Sequence, residues 1–448
     1  MEKTDILILG GGPAGLVTAG TARAYYPDKS ITLVRNVPQA VVPCGIPYIF
    51  KRLGSVDKNL IPDAGLEAKN VQLQLDEATH LDPDAHTVTF VSGQKTTYEK
   101  LVLAVGSTPL LVPIPGSDQK GVYFVKKDPD YLRELITAVE AAERIVVIGG
   151  GFIGVEFAEE IAHIPGKEVS IVELMPRCLS QAFDDELCAL GEAELESLGV
   201  KLYTGHKVTK ITGDGQVKGV KLDDQTEVPA DLVIISIGAK PNVKLAEDAG
   251  LTIGYSGAIW VDEYLRTTEP DIFAVGDCAE KKDFFTRKVA PVMLASTACA
   301  EARIAGANLY QLRVVRDNRG TLATFSTRLG ETTLAAAGLT ESRAKAEGFK
   351  FVVGSAKTVN RHPGSLPDAK PIQVKLIFSE NSLTLLGGQV AGAQESGEVI
   401  NLIALALQNR MTATQLETLQ VATHPLLTSA PTVYPLVTAT MQAIAKAG

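Results

Sequence analysis

The sequence predicts an α/β fold made of two Gly-rich βαβ units followed by an α+β C-terminal segment, and three observations carry that prediction. A Gly-rich turn joins an apolar strand to an Ala-rich helix close to the N-terminus. The same arrangement recurs 139 residues later. Beyond residue 325 the pattern changes to strand-length apolar runs and one amphipathic helix. At 448 residues the chain is about three times a ~150-residue domain, so two to four domains are expected.

In the first unit a buried strand Ile6–Leu9 runs into Gly10-Gly11-Gly12-Pro13-Ala14-Gly15, then a helix Leu16–Tyr26 and a strand Ile31–Val34. Gly10 permits the tight turn out of the strand, and Gly12 lets backbone approach a pyrophosphate. Gly15 lets the helix pack close to the sheet with its N-terminus facing the anion. This is the Rossmann-like signature of a dinucleotide site. The second unit reads Arg144–Ile148, then Gly149-Gly150-Gly151-Phe152-Ile153-Gly154, a helix through Ile161 and a strand Val169–Val172. Gly238, after the apolar run Leu232–Ile237, is assigned to the same site.

Glu173 stands 19 residues after Gly154, where a carboxylate accepts ribose hydroxyls and repels a 2′-phosphate, so NADH is expected over NADPH. Arg177, close by, is the alternative partner for such a phosphate. In the first unit the corresponding place holds Arg35 rather than an acid.

Composition narrows the function classes. Hydrophobic residues make up 45% and charged residues 21%, the balance of an ordered enzyme and not of a disordered chain. A formal charge of -9 disfavours nucleic acid as a partner. No uninterrupted apolar run reaches the ~18 residues of a membrane span, and the N-terminus lacks a signal-peptide core. Five cysteines without a C-x-x-C pair suit a reducing cytoplasm better than a disulfide scaffold. No metal site is expected: His80, His86, His163 and His206 lack ligand spacing.

Two further stretches carry a resemblance. Thr267 to Asp277, ending Phe273-Ala274-Val275-Gly276-Asp277, and Leu101–Val105 with Ala104 and Gly106 leading to Pro109, resemble the flavin-domain motifs of the pyridine nucleotide-disulfide oxidoreductase family. The resemblance implies FAD on the first unit and NADH on the second. It also implies that Asp277 contacts the ribityl and pyrophosphate region, and that a helix from Ala295 turns its positive end toward the flavin. Three domains follow: an FAD domain of residues 1–117 and 246–325, an inserted NAD domain 118–245, and a dimerisation domain 326–448, hence a homodimer. In the last, strands are expected at Leu322–Ser326, Phe351–Gly354 and Ile372–Phe378, a turn at Gly387-Gly388, and a helix Glu398–Gln408.

Two-cysteine members of the family carry C-x(4)-C after the second strand. Here Pro43-Cys44-Gly45-Ile46-Pro47-Tyr48 holds one cysteine, and Gln39 and Ile49 are not thiols. At a helix start, Cys44 is expected to have a lowered pKa and a reactive thiolate. The stretch is similar to the single-cysteine branch, which comprises coenzyme A-disulfide reductases, NAD(P)H persulfide or polysulfide reductases, NADH oxidases and NADH peroxidases. Pro13 replaces the histidine that the peroxide-handling members carry in the first turn.

His424, followed by Pro425, is similar to the proton donor of the two-cysteine reductases, which acts across the dimer. His362 and Tyr434 are alternatives. The family's glutamate near the nicotinamide matches Glu156, with Lys51 as candidate partner. Arg23, Lys51 and Arg52 are either a patch for coenzyme A or a solvated face. Cys178, Cys188, Cys278 and Cys299 are taken as structural. The leading expectation is an FAD enzyme that reduces a small disulfide, persulfide or polysulfide, coenzyme A-linked substrates included, through Cys44. An NADH oxidase is the first alternative, and a flavin electron-transfer component for a protein acceptor the second.

Overall fold

In the computed structural model, which describes residues 1–315 and 320–447, the first expected unit forms the centre of a parallel arrangement. The strand Glu2–Leu9 lies between Ile31–Arg35 and Lys95–Leu103, with Ile8 opposite Leu33 on one side and Val102 on the other. Gln72–Leu75 extends one edge, and Thr87–Phe90 with Ala78–Asp82 the other. Ile272–Ala274 returns from far along the chain to pair in parallel with Leu101–Leu103. Ile6, Leu7 and Ile8 are fully buried, because a parallel sheet covered on both faces tolerates an uninterrupted apolar run.

The helix after the turn spans Pro13–Tyr25, three residues earlier than its apolar pattern suggests. Pro13 explains the shift: proline at the first helical position loses no hydrogen bond and already has helical φ. Gly10 has φ +120, and a Cβ there would sit 2.1 Å from the Ala104 carbonyl oxygen, so only glycine serves.

The second unit repeats this plan as a five-stranded parallel sheet, ordered Lys201–Thr204, Glu168–Glu173, Arg144–Ile148, Leu232–Ile235, Val122–Phe124. A three-stranded antiparallel meander, Val208–Gly213, Val217–Leu222 and Glu227–Pro229, stands beside it. Between the two sheets the chain crosses at Ser107–Pro109 and recrosses at Ala239–Pro241. These two crossings pair antiparallel as a short ribbon, which Asn242 ties down by donating to Gly106 O at 3.0 Å from its backbone and to Val105 O at 2.8 Å from its side chain.

The C-terminal part is a five-stranded antiparallel sheet ordered Phe325–Leu329, Thr332–Gly338, Leu385–Gly392, Pro371–Ser379, Phe351–Val359. Helices Ser396–Gln408 and Pro435–Ala447 pack against it. The expected strand Leu322–Ser326 forms three residues later. The expected turn at Gly387-Gly388 is not a turn but the middle of a buried strand. These glycines answer close packing: a Cβ on Gly387 would lie 1.9 Å from Leu339 O, and one on Gly388 2.9 Å from Ile403 and Leu376 side chains. On helix Ser396–Gln408, Ile400, Ile403 and Leu407 face the core while Leu402 and Leu405 stay exposed. Among the described residues no helix is long and apolar enough to cross a membrane, and all five cysteines are free thiols.

Candidate active site

Cys44 opens a short 3-10 helix, Pro43–Ile49. The turn is held from behind by Asn59, which donates to Val42 O at 3.0 Å. A Cβ on Gly45 would lie 2.0 Å from the Asn59 side-chain oxygen, so residue 45 must be glycine for this support to fit. Cys44 is exposed on one side. Its surroundings nevertheless raise its pKa above the ordinary 9.0, through desolvation first and the Glu156 carboxylate second, with Lys127 pulling the other way. The expected lowering by a helix start is therefore corrected. Seven residues of 3-10 helix offer too weak a positive end to overcome lost hydration and a nearby carboxylate.

Glu156 lies on the helix Phe152–Ala162, which packs against the cysteine segment through Phe157 and Phe50, ring centroids 5.2 Å apart. Thr327, from the C-terminal sheet, donates to its Oε1 at 2.7 Å. Burial pushes the Glu156 carboxyl up to about 7, the Thr327 bond opposes that rise, and Glu159 adds to it. Lys51 is not its partner: Lys51 gives only its backbone N–H to Glu160, at 3.3 Å.

The cation that reaches this helix is Arg52, which binds Glu159 through both terminal nitrogens at 2.7 and 2.8 Å and also pairs with Glu160. Arg23 donates to the carbonyls of Pro27, Lys29, Lys69 and Asn70. Of the three, Arg23 and Arg52 are thus bonded to partners within the protein, while Lys51 and Arg52 keep the exposure of a solvated face.

The first Gly-rich turn and the Gly-Asp motif come together. A Cβ on Gly276 would lie 3.0 Å from the Ala14 Cβ, and one on Gly15 1.9 Å from Gly10 O and 3.6 Å from the Ala104 Cβ. Gly12 and Gly106 behave differently, as a Cβ on either would meet nothing within 4 Å. An open cradle therefore lies over the start of the Pro13–Tyr25 helix. Asp277 stands at this region with Oδ2 accepting from Ser107 Oγ at 2.7 Å and Lys127 Nζ at 3.1 Å. Ala295 begins the helix Ala295–Ala307, whose Glu301 accepts the Gly276 N–H at 2.9 Å. Arg35 is buried and engaged by the protein itself. Its guanidinium binds Asp63 at 2.6 and 2.7 Å and the carbonyls of Val37 and Pro38, while its stem lies against Gly11.

In the second unit Gly149 has φ +107, and a Cβ on Gly154 would lie 1.9 Å from Gly149 O. Gly151 and Gly238 face open space. Glu173 Oε2 accepts the Gly150 N–H at 2.5 Å and Oε1 the Met175 N–H at 2.7 Å, which fixes the carboxylate beside the turn. Phe152 and Ile153 start the helix, and the Phe152 ring packs on Phe183 and Phe325 at 5.9 and 4.9 Å. Arg177 is paired with Glu192 at 2.6 Å.

His424 sits on an exposed loop, its Nδ1 accepting from the Leu426 N–H at 3.2 Å. His362 is bonded to Thr428 O, and Tyr434 is buried. Among the described residues no hydrogen bond or ion pair joins any of the three to Cys44. Thr327, Lys127 and Asn59 escaped the sequence reading, because each acts through a fold contact that no local spacing announces. Cys178, Cys188 and Cys278 are buried, and Cys299 half-buried. His206 lies with Asp223 and Asp224 in an exposed group.

The sequence profile of pyridine nucleotide-disulphide oxidoreductases matches residues 4–302, and that of their dimerisation domain matches residues 326–433. The chain is 30% identical over 431 residues to a protein of Methanocaldococcus jannaschii named NADH oxidase, covering 94% of each. It is 32% identical to the NAD(P)H coenzyme A polysulfide/persulfide reductase of Pyrococcus horikoshii, over 87% of this chain and 88% of that protein. It superposes on the solved NAD-dependent persulfide reductase of A. fulgidus with a TM-score of 0.91 and 33% identity, covering 99% of this chain and 83% of the other. The open cradle beside Asp277, the second Gly-rich turn with Glu173 and the solitary Cys44 thus have a common explanation: the chain belongs to the pyridine nucleotide-disulphide oxidoreductase family.

Proposed function

We propose that this oxidoreductase takes electron pairs from NADH through FAD and delivers them at Cys44 to a small disulfide, persulfide or polysulfide. The observation that carries the reading is Cys44 itself, an exposed single thiol within electrostatic reach of Glu156, Lys127 and Asp277. Among the described residues it forms no disulfide. The names of the Pyrococcus and A. fulgidus relatives support it.

The residues fit the two cofactors. Gly10, Gly12, Pro13, Ala14, Gly15, Ala104, Gly106, Gly276, Asp277 and Ala295 would hold FAD, with Gly12 and Gly106 leaving the space a pyrophosphate and ring need. Gly149, Gly151, Ile153, Gly154, Glu173 and Gly238 would hold NADH, Phe152 contributing backbone at the helix start. When bound, FAD accepts a hydride from NADH and supplies the electron pair that reduces the sulfur bond at Cys44.

Cys44, as thiolate, attacks one sulfur of the substrate, forming a mixed disulfide and releasing the other sulfur as a thiolate. Glu156 holds a proton near neutral pH at its carboxyl and faces the cysteine segment. His424 is the second proton donor, reaching the cysteine of the other subunit in a homodimer. Support for that dimer comes from the dimerisation-domain match and from the exposed apolar side chains Leu402, Leu405, Leu426 and Leu427. The domain division stays at 1–117 with 246–325, 118–245 and 326–448. Five unpaired thiols support a reducing, cytoplasmic setting.

A second reading, an NADH oxidase, is favoured by the raised Cys44 pKa, since a thiol kept protonated attacks sulfur slowly. Steady-state turnover with NADH against polysulfide, coenzyme A disulfide, peroxide and oxygen, with anaerobic controls, separates the two. Cys44→Ser is expected to abolish sulfur and disulfide reduction while NADH oxidation by oxygen persists. Unchanged turnover with every acceptor overturns the proposal.

A further inference from the structure

We propose that Glu192 is a determinant of nucleotide choice, acting by withholding Arg177 from the ribose end of the second dinucleotide site. This rests on the reading of that site as the NADH site. The loop leaving the strand Glu168–Glu173 contains one cation between residues 174 and 184, namely Arg177. The loop is pressed onto the Gly-rich turn: Leu179 N–H donates to Gly150 O at 2.8 Å, and the Cys178 sulfur would lie 2.8 Å from a Cβ on Gly150. Glu173 binds the N–H of the same glycine at 2.5 Å. Arg177 therefore belongs to the short stretch of chain around the place where a nucleotide's 2′ substituent is read.

Its guanidinium points elsewhere. Glu192, on the helix Asp185–Ser197, uses both carboxylate oxygens on this loop: Oε2 accepts from Arg177 Nη1 at 2.6 Å, and Oε1 accepts the Cys178 N–H at 2.9 Å. The Glu192 side chain is 13% exposed and that of Arg177 38%, so the carboxylate is shielded while the guanidinium, held directionally, lies within reach of solvent. A 2′-phosphate arriving at the site meets the Glu173 carboxylate and finds the loop's one cation already taken. Discrimination is then the sum of a repulsion at Glu173 and a missing attraction maintained by Glu192.

The experiment is calorimetric titration of the flavin-loaded enzyme with NAD⁺ and NADP⁺, which leave the flavin oxidised and report affinity independently of turnover. Glu192→Gln keeps an oxygen for the Cys178 N–H and removes the charge that holds Arg177. NADP⁺ affinity is expected to rise about tenfold, the scale of one charge-assisted phosphate contact, with NAD⁺ affinity unchanged. Arg177→Ala is expected to change neither affinity alone, and to erase the gain in the Glu192→Gln background. Unaltered NADP⁺ affinity in Glu192→Gln overturns the proposal. So does weaker NADP⁺ binding in Arg177→Ala alone, since Arg177 would then already meet the phosphate. Absence of NAD⁺ binding by the unsubstituted enzyme would overturn the assignment of the site instead.

Discussion

Arg52 and Glu159 form a two-pronged ion pair, at 2.7 and 2.8 Å, in which the glutamate side chain is wholly buried. Glu160, also wholly buried, takes the same guanidinium. His163 adds a contact to Glu159 at 3.0 Å, and Gly330 N–H a longer one at 3.4 Å. One cation thus joins the cysteine segment to the second unit, with the C-terminal sheet attached to the same carboxylate. Removing it leaves two adjacent carboxylates in a dry place, so Arg52→Met should cost about 3–5 kcal/mol. Urea denaturation followed by circular dichroism measures the loss.

The same cluster sets acid sensitivity. Burial pushes the Glu159 carboxyl up, but the bonds from Arg52 and His163 outweigh it and the net pKa lies below the usual 4.5. A carboxyl lowered by folding stabilises above its unfolded pKa and loses that contribution as pH falls through the folded value. The unfolding midpoint should therefore drop as pH goes below 4.5, and less steeply in Glu159→Gln.

Glu156 has the opposite sign. Its carboxyl is raised to about 7, so its contribution to stability is complete below 4.5 and disappears as pH climbs through 7. Turnover with a sulfur acceptor should lose activity over the same upper range if Glu156 supplies the proton. Thr327→Val removes the bond that favours the charged form, and should move that limb upward by about one pH unit. A pH profile of anaerobic turnover decides this, and no movement would free Glu156 from the proton role.

Alkylation of Cys44 by iodoacetamide should be slow at neutral pH and accelerate above 9, the ordinary thiol value that it exceeds. Burial is the largest cause, so no single substitution restores a low pKa. Glu156→Gln removes a repelling charge and should speed the reaction, while Lys127→Met removes an attracting one and should slow it, each by about threefold.

Two glycines of one turn should fail in different ways. Gly15→Ala forces a Cβ to 1.9 Å from Gly10 O and should prevent folding. Gly12→Ala meets open space, so the protein should fold normally and lose bound flavin, read from its visible absorbance.

The sequence displayed what depends on backbone rules. Gly10, Gly15, Gly149 and Gly154 occur where the turn and the close helix admit nothing larger, and both βαβ units formed where the spacing put them. Where glycine answered a distant packing need, as at Gly387-Gly388, the same letter was misread as a turn. The thiol chemistry of Cys44 was misjudged for a related reason: helix position is local, but burial and the Glu156 charge come from a helix about 110 residues away. Lys51 was named as the helix's partner, whereas its neighbour Arg52 has the reach and the fork to hold two carboxylates.

The paired crossings Ser107–Pro109 and Ala239–Pro241 have a mechanical meaning. The chain's two passages between the first and second sheets run side by side as one ribbon, so it enters and leaves the second sheet at a single place. Away from that ribbon, the helix Phe152–Ala162 is held to the cysteine segment by the Arg52 fork and by Phe50 against Phe157, and Lys127 reaches across to Asp277. A chain that had lost Arg52 would be weakened at that contact, yet the two sheets would stay tethered through the one covalent strap.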